Sequence, residues 1–263
     1  MSNQTTLAGS DAFGSPVFMD WAAPSHAIVA GMTRSGKSAL LYTQLSQLAN
    51  NDTVRVIGID PSDLLLAPFA QRGETLIILG SQGVDAMIDT LEAIVHVCEH
   101  RMATLTQMRA DKIDDFTVAQ PLLVCVIEEY PGLLEIAASL DAIDKPKGTR
   151  ASRIKSLVLQ LLAQYAKVGL RVVLVAQRAD ASLIGGIARA NIGTRFIMRS
   201  DPDGLKMLDP SMTPEEAQLL QRCLPGVCRF ICPGQLPLFF RGIDMDYTTY
   251  MDTILHHLPG NQS

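Results

Sequence analysis

The segment from Gly31 to Ser38 reads GMTRSGKS and matches every fixed position of the pattern G-x-x-x-x-G-K-[ST]. It follows an apolar run, His26 to Ala30, that predicts a buried strand, and it precedes residues 39–48, whose apolar spacing predicts a helix. Between a strand and a helix, a loop of this kind wraps its backbone around phosphate groups. A chance glycine-rich turn is the alternative, and the full match in this setting disfavours it.

The loop predicts binding of a nucleoside triphosphate, with ATP and Mg²⁺ as the expected ligands. Its glycines let consecutive backbone N–H groups point at the phosphates. Lys37 is predicted to reach the β- and γ-phosphates, and the Ser38 hydroxyl to ligate Mg²⁺. The N-terminus of the following helix adds the positive end of its dipole. The predicted nucleotide-binding residues are Gly31, Met32, Thr33, Arg34, Ser35, Gly36, Lys37, Ser38 and Ala39.

Length and composition indicate how large a core the chain can bury and whether it spans a membrane or is secreted. With 263 residues, 48% of them hydrophobic, the chain can bury the core of one large α/β domain. Its longest apolar runs, such as residues 122–127, are far shorter than the roughly 20 residues that span a bilayer. No cationic stretch precedes an apolar one at the N-terminus, so nothing indicates secretion. We therefore expect a soluble, cytoplasmic chain without a transmembrane segment.

The cysteines and the net charge narrow the function classes. Five cysteines, several inside apolar runs, indicate reduced thiols in a cytoplasm. Cys223, Cys228 and Cys232 suggest either a metal site or packing, and the lack of a C-x-x-C spacing and of a nearby histidine favours packing. The net charge of −5 argues against a basic coat for nucleic acid but leaves room for a local basic stripe.

The order of predicted elements indicates an α/β fold. Residues 1–16 read as a flexible leader and residues 17–263 as one domain, and short β-branched runs alternate with helical patterns. This alternation predicts a mainly parallel sheet with helices on both faces. Predicted strands cover 54–59, 75–79, 122–127, 171–176 and 193–198; predicted helices cover 84–108 and 153–168; residues 141–155 are a predicted surface loop; and a hairpin over 227–232 and 236–241 precedes a short C-terminal helix.

Two acidic residues follow the strand LLVCVI. Glu128 and Glu129 would lie at the carboxyl edge of the sheet, where open α/β folds bind ligands. Glu128 is predicted as the outer-sphere partner of Mg²⁺, and Glu129 as the residue that polarises the attacking water. Two solvated acids at a strand end are the alternative. After the next strand, Gln177 is a weaker candidate, for hydrogen bonding to the γ-phosphate or its water.

In their order along the chain, these motifs resemble those of the FtsK/SpoIIIE branch of the FtsK–HerA superfamily, ring-shaped ATPases that pump DNA. The family's loop, often written GTTGSGKS, is similar to GMTRSGKS, and its I-D-P is similar to residues 59–61. Its Walker B strand resembles residues 127–130 (IEEY), its L-A-T-Q-R-P resembles residues 175–179 (VAQRA), and its K-A-N-I-P-T-R resembles residues 189–195 (RANIGTR). Residues 200–209 and, weakly, 224–230 continue the resemblance, which covers about residues 24–242. It implies a RecA-like P-loop NTPase fold.

The chain departs from the family pattern in two places. Glu128 stands where the usual residue is Asp, which lengthens the reach to Mg²⁺ by one methylene, and no proline follows Gln177-Arg178. A membrane anchor and a winged-helix module are also missing from this sequence. We therefore expect an excised motor or a compact relative, with a separate membrane-anchoring protein as a partner at the inner face of the membrane.

The resemblance implies that DNA runs through a central pore and is gripped by two loops of each subunit. One or two phosphate contacts from each of six subunits would make about 6 to 12 contacts, enough for strong salt-sensitive binding. An ordinary solvated charge run is the alternative. The candidate DNA-binding residues are Arg109, Lys112, Lys145, Lys147, Arg150, Arg153 and Lys155.

Three arginines are candidates for a finger that reaches the nucleotide site of a neighbouring subunit: Arg178, Arg195 and Arg199. Such a finger is often worth about 10³-fold or more in turnover. A structural ion pair at a strand end is the alternative, and the sequence leaves the choice among the three open.

The favoured function is an ATP-driven translocase of double-stranded DNA that works as a homohexamer, in conjugative transfer, segregation or packaging. A secretion-type ATPase of the same superfamily, acting on polypeptide, is the second hypothesis. A nucleotide-binding assembly module is the third, and the intact Lys37, Ser38 and Glu129 argue against it.

Overall fold

The computed structural model of the chain describes residues 2–144, 149–177 and 191–256. The strands are β1 (Thr5–Asp11), β2 (Pro16–Asp20), β3 (Ala27–Ala30), β4 (Val54–Asp60), β5 (Ile77–Leu79), β6 (Leu122–Ile127), β7 (Leu170–Ala176), β8 (Thr194–Ile197), β9 (Val227–Ile231) and β10 (Leu238–Gly242). The helices are α1 (Lys37–Ala49), α2 (Ala67–Gln71), α3 (Val84–Met108), α4 (Tyr130–Asp144), α5 (Arg150–Gln164), α6 (Pro202–Leu208), α7 (Pro214–Arg222) and α8 (Tyr247–His256), and short 3₁₀ turns cover Gly80–Gln82 and Ala166–Val168.

The ten strands form one sheet in the order β2-β1-β10-β9-β8-β3-β7-β6-β4-β5. The six strands from β8 to β5 pair in parallel, and β9, β10, β1 and β2 extend the β8 side with antiparallel pairs. The fold is therefore a mostly parallel sheet with helices, as the sequence predicts. Strand β3 lies between β7 and β8, so the loop that follows β3 emerges between the ends of these two neighbours.

The two central parallel strands β6 and β7 are almost wholly apolar because both of their faces are covered. All residues of β6 and β7 are buried. The one charged residue among them, Arg171, donates to the carbonyl oxygens of Trp21 and Ala22 at 2.9 and 2.7 Å. A buried charge is tolerated where such hydrogen bonds replace its hydration.

The N-terminal residues differ from the predicted flexible leader. Residues 5–11 form β1, which pairs with β2 on one side and β10 on the other. The buried Thr6 hydroxyl donates to the Gln44 amide and accepts a 2.8 Å hydrogen bond from the Trp21 indole. Hydrogen bonds to distant residues let this Ser- and Thr-rich segment pack inside the sheet, so the prediction of a leader is wrong for residues 5–11.

The predicted surface loop, residues 141–155, is longer than the connection between helices α4 and α5 in the structure. Helix α4 continues to Asp144, and α5 begins at Arg150 with a Thr149 side-chain cap on the Ser152 N–H. The buried Asp141 carboxylate also accepts from the Arg150 and Ala151 N–H groups, at 2.9 and 3.2 Å. These caps start the helix three residues before its predicted beginning. Among the residues that the structure describes, each helix is too short or too polar to cross a bilayer.

Candidate nucleotide-binding site

The loop between β3 and α1 is attached to both neighbouring strands. The Gly31 N–H donates to the Ala176 carbonyl of β7 at 3.2 Å, and the Met32 N–H donates to the Arg199 carbonyl beyond β8 at 2.8 Å. The carboxyl end of β7 and the residues just beyond β8 therefore fix the first residues of the loop. This is the edge at which open α/β sheets bind their ligands.

Gly36 is the position in the loop where a side chain cannot fit. Its φ is 105°, in the left-handed region that favours glycine, and a Cβ there would lie 2.6 Å from the Gly226 nitrogen. The Gly226 N–H in turn donates to the Ser35 carbonyl at 2.8 Å. The turn before β9 thus packs directly on the phosphate loop, a contact that the weak motif at 224–230 did not predict.

Lys37 points its amine back into the loop. Its Nζ donates to the Gly31 carbonyl and, at 3.3 Å, to the Met32 carbonyl. Burial lowers the Lys37 pKa, while the negative charges of Glu129 and Glu128 raise it. An ammonium held by two loop carbonyls is placed to transfer its hydrogen bonds to phosphate oxygens, so the loop fits the predicted triphosphate.

Glu128 follows β6 and lies beside the end of β4. Its N–H donates to the Ile59 carbonyl at 3.0 Å, and its side-chain Oε2 is buried without a hydrogen-bond partner among the described residues. Burial, then the charges of Asp60 and Glu129, raise the Glu128 pKa to about 7. A buried carboxylate oxygen without a partner is costly alone and fits a role as ligand to a cation or its water.

Glu129 is held in an unusual backbone conformation. Its φ is 41°, which is uncommon for a residue with a side chain and is found most often at functional sites. Burial raises the Glu129 pKa, while Lys37 and hydrogen bonds donated by the backbone and side chain of Gln177 lower it. The Thr33 hydroxyl donates to the Gln177 amide oxygen at 3.1 Å. Gln177 thus connects the loop to Glu129.

Asp60 belongs to this acidic group although sequence reasoning did not assign it a site role. Its side chain is fully buried at the end of β4 and accepts hydrogen bonds from the Ser62 and Leu66 N–H groups, at 2.9 and 2.8 Å. These bonds hold the carboxylate in place, and its charge helps to raise the Glu128 pKa. In the sequence, the I-D-P motif at residues 59–61 was the feature that could have identified Asp60 as a site residue.

Ser38 lies in the first turn of α1, near a cluster of tyrosines. A hydrogen bond from Ser38 opposes the rise that burial causes in the Tyr42 pKa. The Tyr42 ring stacks on Tyr250 of α8, with 4.4 Å between ring centroids. Helix α8 therefore packs against α1 one turn beyond the residue that is the predicted Mg²⁺ ligand.

A small cleft of about 100 Å³ opens beside the first turn of α1. One side is formed by Gly36, Ala39 and Leu40, and the other includes Gly226 and the segment after β10. The remaining residues that line it are Met198, Pro225, Arg241, Gly242, Ile243 and Asp244. Ala39, predicted as a nucleotide contact, faces this cleft.

The three candidate finger arginines have different surroundings. Arg195 donates to the carbonyl oxygens of Ile192 and Leu208, so its guanidinium is engaged by the segment before β8 and by the end of α6. Arg199 lies at the loop: one Nη donates to the Arg34 carbonyl at 3.4 Å, while its buried Nε has no partner in the described parts of the chain. Arg178 lies outside the described residues.

The predicted DNA-binding residues are not brought together as one set. Arg150 is engaged by acids from two helices: it pairs with Asp85 at 2.6 Å and Asp144 at 2.7 Å. Arg153 pairs with Glu92 at 2.7 Å and Lys112 with Asp114 at 3.2 Å. Arg109 and Lys155 are exposed, and Lys145 and Lys147 lie outside the described residues.

The sheet, the glycine-bounded loop and the facing acidic pair define a P-loop protein of the α/β class. The chain belongs to the FtsK/SpoIIIE family, whose model matches residues 2–183. The resemblance in the motifs is thereby confirmed.

Two curated relatives are DNA translocases. The chain is 28% identical over 222 residues to DNA translocase SftA of Bacillus subtilis (strain 168), which covers 78% of this chain and 22% of that protein. It is 26% identical over 218 residues to DNA translocase FtsK of Treponema pallidum (strain Nichols), covering 77% of this chain and 26% of that protein. The chain thus spans about a quarter of the length of these relatives.

Solved structures share the fold. The pCW3 conjugation coupling protein TcpA, in a monomer form with ATPγS, has a TM-score of 0.79 at 19% identity and covers 97% of this chain and 70% of its own. The cytoplasmic domain of the Thermomonospora curvata Type VII secretion ATPase EccC has a TM-score of 0.73 at 18% identity, covering 98% of this chain and 31% of its own. At such identities these structures support the fold alone.

Proposed function

We propose that this chain hydrolyses ATP at the loop between β3 and α1 and uses the energy to translocate double-stranded DNA. The observation that carries the hydrolytic part is the acidic pair facing the loop: among the described residues, Glu128 has a buried oxygen without a partner, and Glu129 is held by Gln177. A nucleotide-binding module without turnover has no need of both groups. Family membership and the two DNA translocases among its relatives support DNA as the polymer.

Each residue of the site has a proposed role. When bound, Mg²⁺·ATP supplies the transferable phosphoryl group and part of the charge neutralisation. Lys37 moves its hydrogen bonds from the loop carbonyls to the β- and γ-phosphates. Ser38 and Glu128 hold Mg²⁺ and its water. Glu129 accepts the proton of the attacking water and orients it, and Gln177 keeps the Glu129 carboxylate in position.

The cleft beside α1 is the proposed place for the nucleoside. It adjoins Gly36 and Ala39, which follow the phosphate contacts along the chain. Asp244 at its rim is an acceptor for ribose hydroxyls, a role that carboxylates fill in other nucleotide-binding folds. The apolar Ile243 and Leu40 offer contacts to a planar base.

The proposed working state is a homohexameric ring around DNA, which a separate anchoring protein brings to the inner face of the membrane in conjugative transfer, segregation or packaging. A finger from a neighbouring subunit completes each site, and its candidates are Arg178, Arg195 and Arg199; of these, Arg199 lines a cleft with Thr33 and Gln177 at its own loop, and Arg195 donates to backbone carbonyls. Arg109, Lys145, Lys147 and Lys155 are the preferred phosphate contacts, since Arg150 and Arg153 are paired with acids of the same chain.

Steady-state ATP hydrolysis with and without linear double-stranded DNA tests the proposal. We expect Mg²⁺-dependent hydrolysis that DNA stimulates several-fold. Lys37→Ala is the control, because it removes the charge that meets the phosphates and abolishes nucleotide binding. A rate of hydrolysis that DNA leaves unchanged but an unfolded polypeptide raises would favour the secretion-type function. Unchanged ATP affinity in Lys37→Ala would contradict the loop assignment itself.

A further inference from the structure

Arg34 occupies a place in the phosphate loop that strains its backbone. Its φ is 62°, in the left-handed region, and it carries a long side chain there. Residues with a Cβ adopt this conformation at a cost in free energy, whereas glycine does so freely. The family pattern GTTGSGKS has glycine at this position. A strained residue at a ligand site is a reason to ask what its side chain does.

The side chain of Arg34 is exposed, and no acidic side chain in the described parts of the chain pairs with it. Its backbone, by contrast, is fixed on both sides. The Arg34 carbonyl accepts from the Arg199 guanidinium at 3.4 Å, and the next N–H, of Ser35, donates to the Met32 carbonyl at 3.1 Å. The loop thus carries an exposed guanidinium, without an ion-pair partner among the described residues, on a backbone that these hydrogen bonds hold in place.

The charges around the loop explain why another cation is useful there. The described site contains three buried or partly buried acids, Asp60, Glu128 and Glu129, against two cationic side chains, Lys37 and Arg199. Adding one Mg²⁺ leaves the site with a single excess positive charge, fewer than the negative charges of a triphosphate. The negative charges of a triphosphate therefore need further cations close by, and Arg34 is the one that the loop itself supplies.

We propose that Arg34 is a cation for the nucleotide of its own chain: its guanidinium bonds phosphate oxygens of the bound triphosphate from the solvent side of the loop. This assignment rests on the proposed function, because it uses the same loop and ligand. Guanidinium groups suit this task, since their donors match phosphate geometry in pairs. The strain at residue 34 is then retained because glycine, which would relieve it, has no charge to offer.

Three substitutions separate the charge from the strain. Arg34→Ala removes the charge and keeps the Cβ that strains the backbone. Arg34→Lys keeps both a charge and the strain. Arg34→Gly removes the charge and relieves the strain. Affinity for a fluorescent ATP analogue with Mg²⁺, measured without DNA, is compared with the melting temperature of the nucleotide-free protein.

We expect Arg34→Ala and Arg34→Gly to lose ATP affinity by similar factors, about tenfold or more for a charge-assisted hydrogen bond. Arg34→Lys should retain most of the affinity. The melting temperature should follow a different order, with Arg34→Gly the most stable. A residue with only a structural role would change affinity in parallel with melting temperature, and that result would overturn the proposal.

Two further outcomes are decisive. If wild type binds ATP and Arg34→Ala binds it equally well, the role of Arg34 fails while the proposed function stands; if wild type itself binds no ATP, both fail. An affinity loss seen only at protein concentrations where the chain self-associates would assign Arg34 to a neighbouring subunit and overturn its role in its own chain. Lys37→Ala sets the level of no binding in each titration.

Discussion

The Thr33 hydroxyl donates a 3.1 Å hydrogen bond to the Gln177 side chain, which ties the phosphate loop to the end of β7. Gln177 also donates to the Glu129 carboxylate. The loop that we propose to hold the nucleotide and the acid that we propose to polarise water are therefore joined through one amide. In sequence, Gln177 was a candidate for contact with the γ-phosphate; its position makes orientation of Glu129 the better-supported role.

Gln177→Ala should lower kcat on the order of tenfold to a hundredfold, because an incorrectly oriented base loses most of its advantage. The KM for ATP should change little, since Lys37 and the loop backbone remain. Steady-state kinetics separate the two effects. Thr33→Val is the matched variant: it removes the hydroxyl donor but leaves Gln177 able to hold Glu129, and a smaller loss is expected. A KM for ATP that rises by the same factor as kcat falls would instead indicate that Gln177 contributes to ATP binding.

Glu129→Gln should bind ATP normally and lose hydrolysis by about 10²- to 10⁴-fold, since the neutral amide cannot accept the water's proton. Glu128→Gln should be less severe and should weaken the dependence on Mg²⁺. The measurement is single-turnover hydrolysis over a range of Mg²⁺ concentrations. Greater loss in Glu128→Gln would mean that the two roles are exchanged.

The stability of the nucleotide-free protein should depend on Glu128 through pH. Its pKa is raised from 4.5 to about 7 in the folded state, so the folded protein binds more protons than the unfolded chain between these values. The contribution of Glu128 to stability therefore falls as pH rises from 4.5 to 7 and stays low above 7.

Glu128→Gln removes this penalty. Compared with its effect at pH 5, the substitution should favour the folded state at pH 8 by up to about 3 kcal/mol. Urea unfolding at the two pH values measures the difference. The exposed Glu135 provides the control, and Glu135→Gln should show no such dependence. A pH-independent effect of Glu128→Gln would contradict the raised pKa.

The basic residues around the connection from α4 to α5 should differ in their effect on DNA binding. Lys145→Ala with Lys147→Ala should weaken DNA binding on any duplex and make log K against log salt shallower, with basal hydrolysis retained. Lys167→Ala, an exposed lysine before β7, is the control for lost charge. Equal slopes for the double variant and wild type would place these lysines away from DNA.

Arg150→Ala should behave differently from the lysine variants. It leaves Asp85, Asp141 and Asp144 without their common partner, and these acids raise the Arg150 pKa or lie within ion-pair distance. We expect a lower melting temperature with little change in the salt slope. A slope change as large as that of the lysine double variant would show that Arg150 contacts phosphate despite its ion pairs.

Sequence patterns predicted those elements whose structure depends on local apolar spacing. Helix α3 has the predicted bounds, 84–108, and β6 has the predicted bounds, 122–127. Both have a long or continuous apolar pattern. Helix α4 received no prediction, and its first turn contains Pro131 and Gly132. Proline is in fact accepted in the first turn of a helix, where its missing N–H has no acceptor.

Contacts between distant residues explain most of what the sequence did not predict. Thr6 is buried because Gln44 and Trp21 satisfy its hydroxyl, and Arg150 is occupied because Asp85 lies beside it. Neither partner is apparent from local spacing. For the site, the motifs located the loop and the acidic pair, while the contact between Gly226 and Gly36 required the fold.

The pairing of β1 with β10 has a consequence for how the protein is made. Gly9 lies opposite Gly242, so β1 leaves the ribosome long before β10, its neighbour in the sheet, has been made. Until then β1 exposes an unpaired edge, which is open to mispairing with other chains. Gly226 likewise reaches the phosphate loop only at this late stage. A nascent chain should therefore acquire nucleotide affinity in a single late step, when the β9–β10 hairpin inserts between β8 and β1.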